Sequence, residues 1–265
     1  GNWQDRKRLW QSKGLKSEIG RDKELTYKGA VSQLDYYRVK EGTRDHSDEQ
    51  STSIFDPALC EVMYHWFCPE NGDILDPFAG GSVRGIVANY LGYNYTGIEL
   101  RQEQVDSNEE QALSILPTNR QPKWYVGDSD KILDGEWLKK FDTIFSCPPY
   151  MDLEVYSDLP DDLSTLSDAE FIAKYESIIF KSCKLLKDDG FAIFVVGDVR
   201  DKKTGFYKDF ITITKMAFYK AGLKLYNEAI LLNPVASASM RADKQFSAGK
   251  KLVKIHQNIL IFKRG

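Results

Sequence analysis

The chain has 265 residues, 42% of them hydrophobic and 28% charged, enough for one large α/β domain, alone or with a small appendage. A net charge of −3 and a pI near 5.8 exclude a generally basic nucleic-acid binder, so any phosphate contact must come from a local cluster of Lys and Arg. Cys60, Cys68, Cys147 and Cys183 show no Cys-x-x-Cys spacing and no neighbouring His cluster. Neither a metal site nor a disulfide framework is therefore expected, and a reducing cytoplasm fits best. No apolar run reaches membrane-spanning length, and the N-terminus lacks a signal-peptide pattern. The chain opens at Gly1 rather than Met, as a piece of a longer protein would.

In chain order, residues 1–52 are polar and charged and read as an N-terminal extension or lid. They begin with the basic Arg6, Lys7 and Arg8 and end in an aperiodic run over 41–53. Residues 53–265 read as one catalytic domain. Asp56-Pro57 opens a helix over 57–67, with proline at the first helical position. Strands are predicted at 73–76, 94–99, 123–126, 141–146, 191–196, 224–232 and 256–262. Helices are predicted at 82–91, 102–116, 168–187 and 206–221. Such alternation predicts a doubly wound, mostly parallel Rossmann-like sheet of seven strands. No helix is predicted between the last two strands, so they are expected to pair antiparallel at one edge.

The densest signal is Asp76-Pro77-Phe78-Ala79-Gly80-Gly81-Ser82, where a strand ends and a helix begins. An open α/β sheet binds ligands at such strand ends. Glycines let a ligand approach the backbone, and the N–H groups opening the helix can face an anion. Glu99 ends the next strand, where an acid can accept hydrogen bonds from both ribose hydroxyls. Asp128 and Ser129 follow the third strand, and Asp128 is placed to accept from an adenine amino group. Neither Gly-x-Gly-x-x-Gly nor a Gly-Lys-Ser/Thr loop is present.

Asp-Pro-Phe-Ala-Gly-Gly-Ser resembles the S-adenosylmethionine signature of amino-methylating DNA methyltransferases, Asp-Pro-Phe-x-Gly-Ser-Gly, with glycine and serine exchanged at its end. Phe55-Asp56-Pro57 is similar to the segment that helps hold the methionine part of the cofactor in that family. Ser146-Cys147-Pro148-Pro149-Tyr150 resembles the family's catalytic turn, an Asp, Asn or Ser followed by two prolines and an aromatic residue. The resemblance covers about residues 54–262. It implies the class I methyltransferase fold, S-adenosylmethionine as cofactor with S-adenosylhomocysteine as product, and double-stranded DNA as partner. Compact enzymes of this type are common on phages and mobile elements, so a bacterial or phage-infected cell is the expected setting.

The chemistry of the catalytic turn accounts for its residues. An exocyclic amine of adenine N6 or cytosine N4 has its lone pair delocalised into the ring. An acceptor side chain and the carbonyl between two prolines can bind its hydrogens and favour a tetrahedral nitrogen. Proline fixes φ, so that carbonyl is aimed rigidly. Tyr150 can stack on a base rotated out of the duplex. Cys147 stands at the acceptor position and is nearest to serine in size, although a thiol is a weak acceptor. It also reads as a nucleophile for methylation at cytosine carbon 5, or as a small residue that merely fits. RNA or a protein amine as substrate, and a non-catalytic cofactor-binding or DNA-binding module, remain rival readings.

Arg241, Lys244, Phe246, Lys250, Lys251 and Lys254, with His256, lie between the last two strands. They are expected to form a mobile basic loop that touches phosphate and stacks on bases. The acidic run 151–165 reads as a base-reading cover or as a solvated loop. Asp198 and Arg200 read as a pair, with phosphate as the alternative partner of Arg200. No large recognition domain fits after residue 150, so recognition is expected to be short and low in specificity, or supplied by the N-terminal segment or by a further domain or subunit.

Overall fold

The computed structural model describes residues 1–16, 55–150, 163–201, 203–233 and 238–265. The aperiodic run 41–53, the boundary at 52 and most of the acidic run 151–165 lie outside these residues. Seven strands form one sheet: β1 (Asp73–Asp76), β2 (Asn94–Glu99), β3 (Lys123–Val126), β4 (Phe141–Ser146), β5 (Leu186–Val196), β6 (Leu223–Leu232) and β7 (His256–Arg264). Their spatial order is β3-β2-β1-β4-β5-β7-β6. The first five are parallel to one another, whereas β7 runs antiparallel to both β5 and β6. This is the expected doubly wound sheet. The last two strands do pair antiparallel, but β7 lies inside the sheet and β6 forms its edge.

The eight described α-helices are α1 (Asn2–Ser12), α2 (Pro57–Phe67), α3 (Val83–Tyr90), α4 (Gln102–Ile115), α5 (Ser129–Ile132), α6 (Asp168–Leu185), α7 (Phe210–Lys220) and α8 (Ala238–Gly249). The run 191–196 of β5 is apolar without a break because both faces are covered. Ile193, Val195, Ile259 and Ile261 join one core with Tyr64 of α2 and Ile86 and Val87 of α3. Phe194, Val196, Leu260 and Phe262 join the other, beneath Phe171 and Tyr175 of α6 and Phe218 of α7. The Phe218 ring stacks on Phe262 at 4.1 Å. Asp56 caps α2 through the N–H groups of Ala58 and Leu59, at 2.9 and 3.4 Å. A reciprocal capping box between Ser167 and Glu170 starts α6.

Several expectations are corrected. Residues 2–12 are helical, and α1 docks on α2. The indole of Trp10 is buried and donates to Glu61 at 2.9 Å, and Arg6 pairs with the same carboxylate. Strand β5 starts at Leu186, five residues early. Its polar Lys187, Asp188 and Asp189 conceal a pairing in which buried Leu186 meets Phe141 and Lys187 meets Asp142 at 2.7 Å. Helix α7 starts at Phe210, because Arg200 and Tyr207 form an antiparallel bridge that folds the chain back on itself before the helix. The stretch between β6 and β7, expected to be a loop without a helix, contains α8. Among the described residues no helix is long and apolar enough to cross a membrane.

Candidate active site

The chain leaves β1 towards β2 and β3 on one side, and returns through β4 to β5 on the other. The crevice between the carboxyl ends of β1 and β4 is therefore the topological switch point of the sheet. The glycine turn follows β1 and the Cys-Pro-Pro-Tyr turn follows β4, so the fold sets side by side two motifs far apart in sequence.

What ties them is a buried ionic cluster around Asp76, which is 0% exposed. Its Oδ1 accepts from Ser146 Oγ at 2.5 Å and from the Phe78 N–H at 3.2 Å. Its Oδ2 accepts from Arg84 Nε at 2.5 Å and from the Tyr95 hydroxyl at 2.7 Å. Arg84 also donates to the carbonyls of Phe78 and Ala79, both at 2.7 Å, and lies 4.6 Å over the ring of Phe55. Burial works against the Arg84 charge, but the adjacent Asp76 carboxylate outweighs it and raises the guanidinium pKa. Burial, then Asp76, pushes the Tyr95 hydroxyl well above its ordinary range and keeps it a donor. Arg84 and Tyr95 escaped the sequence reading, and Ser146 was read only as the start of the catalytic turn. The signal was an arginine inside the apolar run Val83 to Ala88, which a helix with a buried face tolerates only beside an acid.

Around this cluster the other expected cofactor residues divide by what they touch. Gly80 has φ +52°, and a Cβ there would meet nothing within 4 Å, so its backbone borders open space. Gly81 is half-buried beside it. Glu99 projects from the end of β2 and accepts from the Arg101 N–H at 3.0 Å. Ser82 is buried and donates to Gln111 at 2.8 Å, tying the turn to α4. Ser129 is buried and donates to the Pro77 carbonyl at 2.6 Å. Asp128 caps α5 through the Asp130 N–H at 3.0 Å and meets Lys174 at 3.0 Å. Phe78 packs on Tyr175 and Phe194, and Phe55 lies edge-on to Phe145. Asp56 is engaged with α1 as well, through Trp3 at 3.0 Å and Lys7 at 3.2 Å.

On the β4 side, Cys147 is half-buried and its Sγ lies 3.5 Å from the Tyr150 hydroxyl. That hydroxyl also accepts from Gln257 Nε2 at 2.5 Å and donates weakly to the Val195 carbonyl at 3.4 Å. A Cβ on Gly197 would sit 3.4 Å from the Tyr150 ring, whose edge faces Phe210. Pro148 is buried and Pro149 half-buried, so the turn is held from both sides. Burial pushes the Cys68 thiol up to about 11, Cys183 up to about 12 and Cys60 well above its usual value. Native protein treated with a thiol reagent at neutral pH is therefore expected to label Cys147 alone, read by peptide mass spectrometry. Equal labelling of Cys60 would contradict this packing.

The expected Asp198–Arg200 pair does not form. Asp198 accepts from the Phe210 N–H at 3.0 Å and so caps α7, whereas Arg200 lies 3.8 Å over the ring of Tyr207. The expected mobile basic loop is largely α8 and its exit. Arg241, Lys244, Phe246 and Lys250 are exposed, with the Lys250 ammonium 4.6 Å over the Phe246 ring. Lys251 and Lys254 are half-buried. Desolvation lowers the Lys254 pKa, partly offset by Asp198 at the end of β5, so the basic segment reaches the site edge of the sheet.

No protein-family model matches the chain. It is 38% identical over 82 residues to the type II methyltransferase M.HinfI of Haemophilus influenzae, a match covering 30% of this chain and 21% of that protein. Among solved structures it resembles TrmN from Thermus thermophilus, with TM-score 0.52 and 11% identity over 80% of this chain and 49% of that one. It also resembles magnesium protoporphyrin IX methyltransferase from Synechocystis, with TM-score 0.50 and 12% identity over 89% of this chain and 96% of that one. The fold is the class I methyltransferase fold. The chain spans only part of M.HinfI and of TrmN, and the fold by itself does not specify a substrate.

Proposed function

We propose that this protein is an S-adenosylmethionine-dependent methyltransferase acting on an exocyclic amine of a DNA base, adenine N6 or cytosine N4. The observation that carries the reading is the 2.5 Å hydrogen bond from Ser146 to Asp76. It joins a turn suited to the cofactor to a turn suited to an amine, at the one crevice where this sheet binds ligands. The local similarity to a type II methyltransferase supports the same class.

The residues fit the cofactor. Open space beside Gly80 admits a ligand against the backbone, and Glu99 offers a carboxylate at the end of β2 for ribose hydroxyls. Bound there, S-adenosylmethionine supplies a methyl group on a positively charged sulfur. The protein's own part is positional. The carbonyl between Pro148 and Pro149 accepts an amine hydrogen, Cys147 lines the same turn, and Tyr150 presents its anchored ring to the base. Exposed Arg241, Lys244 and Lys250 supply phosphate contacts, with Phe246 among them. Double-stranded DNA is then the partner, with sequence recognition short or supplied by a further domain or subunit.

Incubating the protein with methyl-labelled S-adenosylmethionine and unmethylated duplex DNA, followed by nucleoside mass spectrometry, is expected to yield N6-methyladenine or N4-methylcytosine. Cofactor binding without any transfer to DNA would reject the reading. Cys147→Ser is expected to preserve transfer or raise it, because a hydroxyl oxygen accepts better than sulfur. Formation of 5-methylcytosine, abolished in that variant, would instead make Cys147 a nucleophile.

A further inference from the structure

Beside the catalytic turn stands an aromatic, basic hairpin that the reading above does not use. It begins at Arg200, three residues after Gly197, the residue against which Tyr150 packs, so it rises from the site edge of the sheet. The Asp201 N–H donates to the Phe206 carbonyl at 2.9 Å, and Lys208 N–H closes on the Val199 carbonyl at 2.9 Å. The Asp201 carboxylate accepts from the N–H of Lys203 at 3.0 Å and from the N–H and hydroxyl of Thr204 at 2.6 and 2.8 Å. The one acid of the hairpin is thus turned into its own loop, and the charge left facing outward is positive.

On the return arm Phe206, whose carbonyl accepts from Asp201, is 78% exposed, a large apolar ring held out rather than folded in. Next to it the Arg200 guanidinium lies flat over Tyr207 and donates to the Gly205 carbonyl at 2.9 Å. Gly205, at φ +77°, has no side chain because Lys251 occupies that space, with its Nζ 2.7 Å from where a Cβ would stand. The hairpin is thereby joined to the basic exit of α8. An exposed ring flanked by arginine and lysine, near the Cys-Pro-Pro-Tyr turn, has the chemistry of a stacking contact to nucleic acid.

We propose that the 200–207 hairpin is a nucleic-acid finger: Phe206 stacks on a base of duplex DNA next to the target, while Arg200, Lys203 and Lys251 meet the adjoining phosphates. This rests on the reading of the chain as a DNA methyltransferase. Phe206→Ala removes only exposed surface, so the fold is unaffected. In titrations of a short fluorescein-labelled duplex it is expected to weaken binding about tenfold, with a matching rise in KM for DNA, while kcat and cofactor affinity stay unchanged. Phe206→Trp is expected to restore binding. Lys203→Ala is expected to weaken binding to all duplexes alike and to shallow the salt dependence by about one unit. If wild-type protein methylates DNA and Phe206→Ala matches it in affinity and KM, the finger is refuted and the function stands. If wild-type protein neither binds nor methylates the duplex, the function falls and takes the finger with it. Unchanged DNA affinity with loss of self-association in Phe206→Ala would also refute the finger and assign the hairpin to contact between copies of the chain.

Discussion

Replacing Asp76 by alanine is expected to lower the free energy of unfolding by about 3–5 kcal/mol, the cost of leaving a buried charge without its partner. Arg84 is 5% exposed and has no route to water without leaving the core, so its charge has to be neutralised where it lies. The same substitution strands the hydroxyls of Tyr95 and Ser146, each of which otherwise forms a short bond to Asp76. Urea unfolding at neutral pH measures the loss. Adding Arg84→Met to Asp76→Ala is expected to recover part of it, because the unpaired charge is then removed and an apolar side chain of similar reach remains. A loss below about 1 kcal/mol for Asp76→Ala would mean that the surroundings solvate Arg84 better than this packing allows.

Under the proposed function, Tyr150→Ala is expected to lower kcat about 10²-fold, the usual penalty for misplacing a reacting group by an ångström. The ring is fixed on three sides, by Gly197, by Phe210 and through its hydroxyl by Gln257. Without it, the turn carrying Cys147 and the two prolines loses the brace that aims its carbonyl. Tyr150→Phe keeps the ring in its seat and gives up only hydrogen bonds of the hydroxyl, so it is expected to lose about tenfold or less. Single-turnover methyl transfer separates the two variants from any change in product release. Equal losses in both would place the requirement in the hydroxyl rather than the ring.

The parts of this molecule that were legible in the sequence are those whose signal is local. The Asp-Pro-Phe turn, the Cys-Pro-Pro-Tyr turn and the apolar runs of β4 and β5 announce themselves within a few residues, and the seven-stranded sheet follows from their alternation. What stayed hidden depends on partners distant in the chain. Nothing near Ser146 indicates that its hydroxyl points at Asp76 rather than at a substrate. Asp198 and Arg200 look like a pair by spacing, yet Asp198 is drawn to cap α7, whose own N-cap residue, Asp209, makes no side-chain cap. Helix α8 has few large apolar residues, and among its described side chains only Ala238 is buried, so little in the sequence separates it from a polar loop. The start of β5 was masked by three charged residues, whose pairing is set by Phe141 and Asp142 across the sheet.

The position of β7 bears on how the molecule is made. Strand β6 is synthesised before β7, yet within the sheet it hydrogen-bonds to β7 alone. A nascent chain that has reached residue 255 therefore carries β6 with no strand to lie against, and β5 has one side open along the length later taken by β7. The backbone N–H and C=O groups of β5 that later pair with β7 then lie open along that edge during translation. Closure is a single late insertion of one strand between two waiting ones, the kind of long-range pairing that folds slowly and recruits chaperones. Until β7 pairs, the chain therefore carries an open edge on β5 and an unpaired β6.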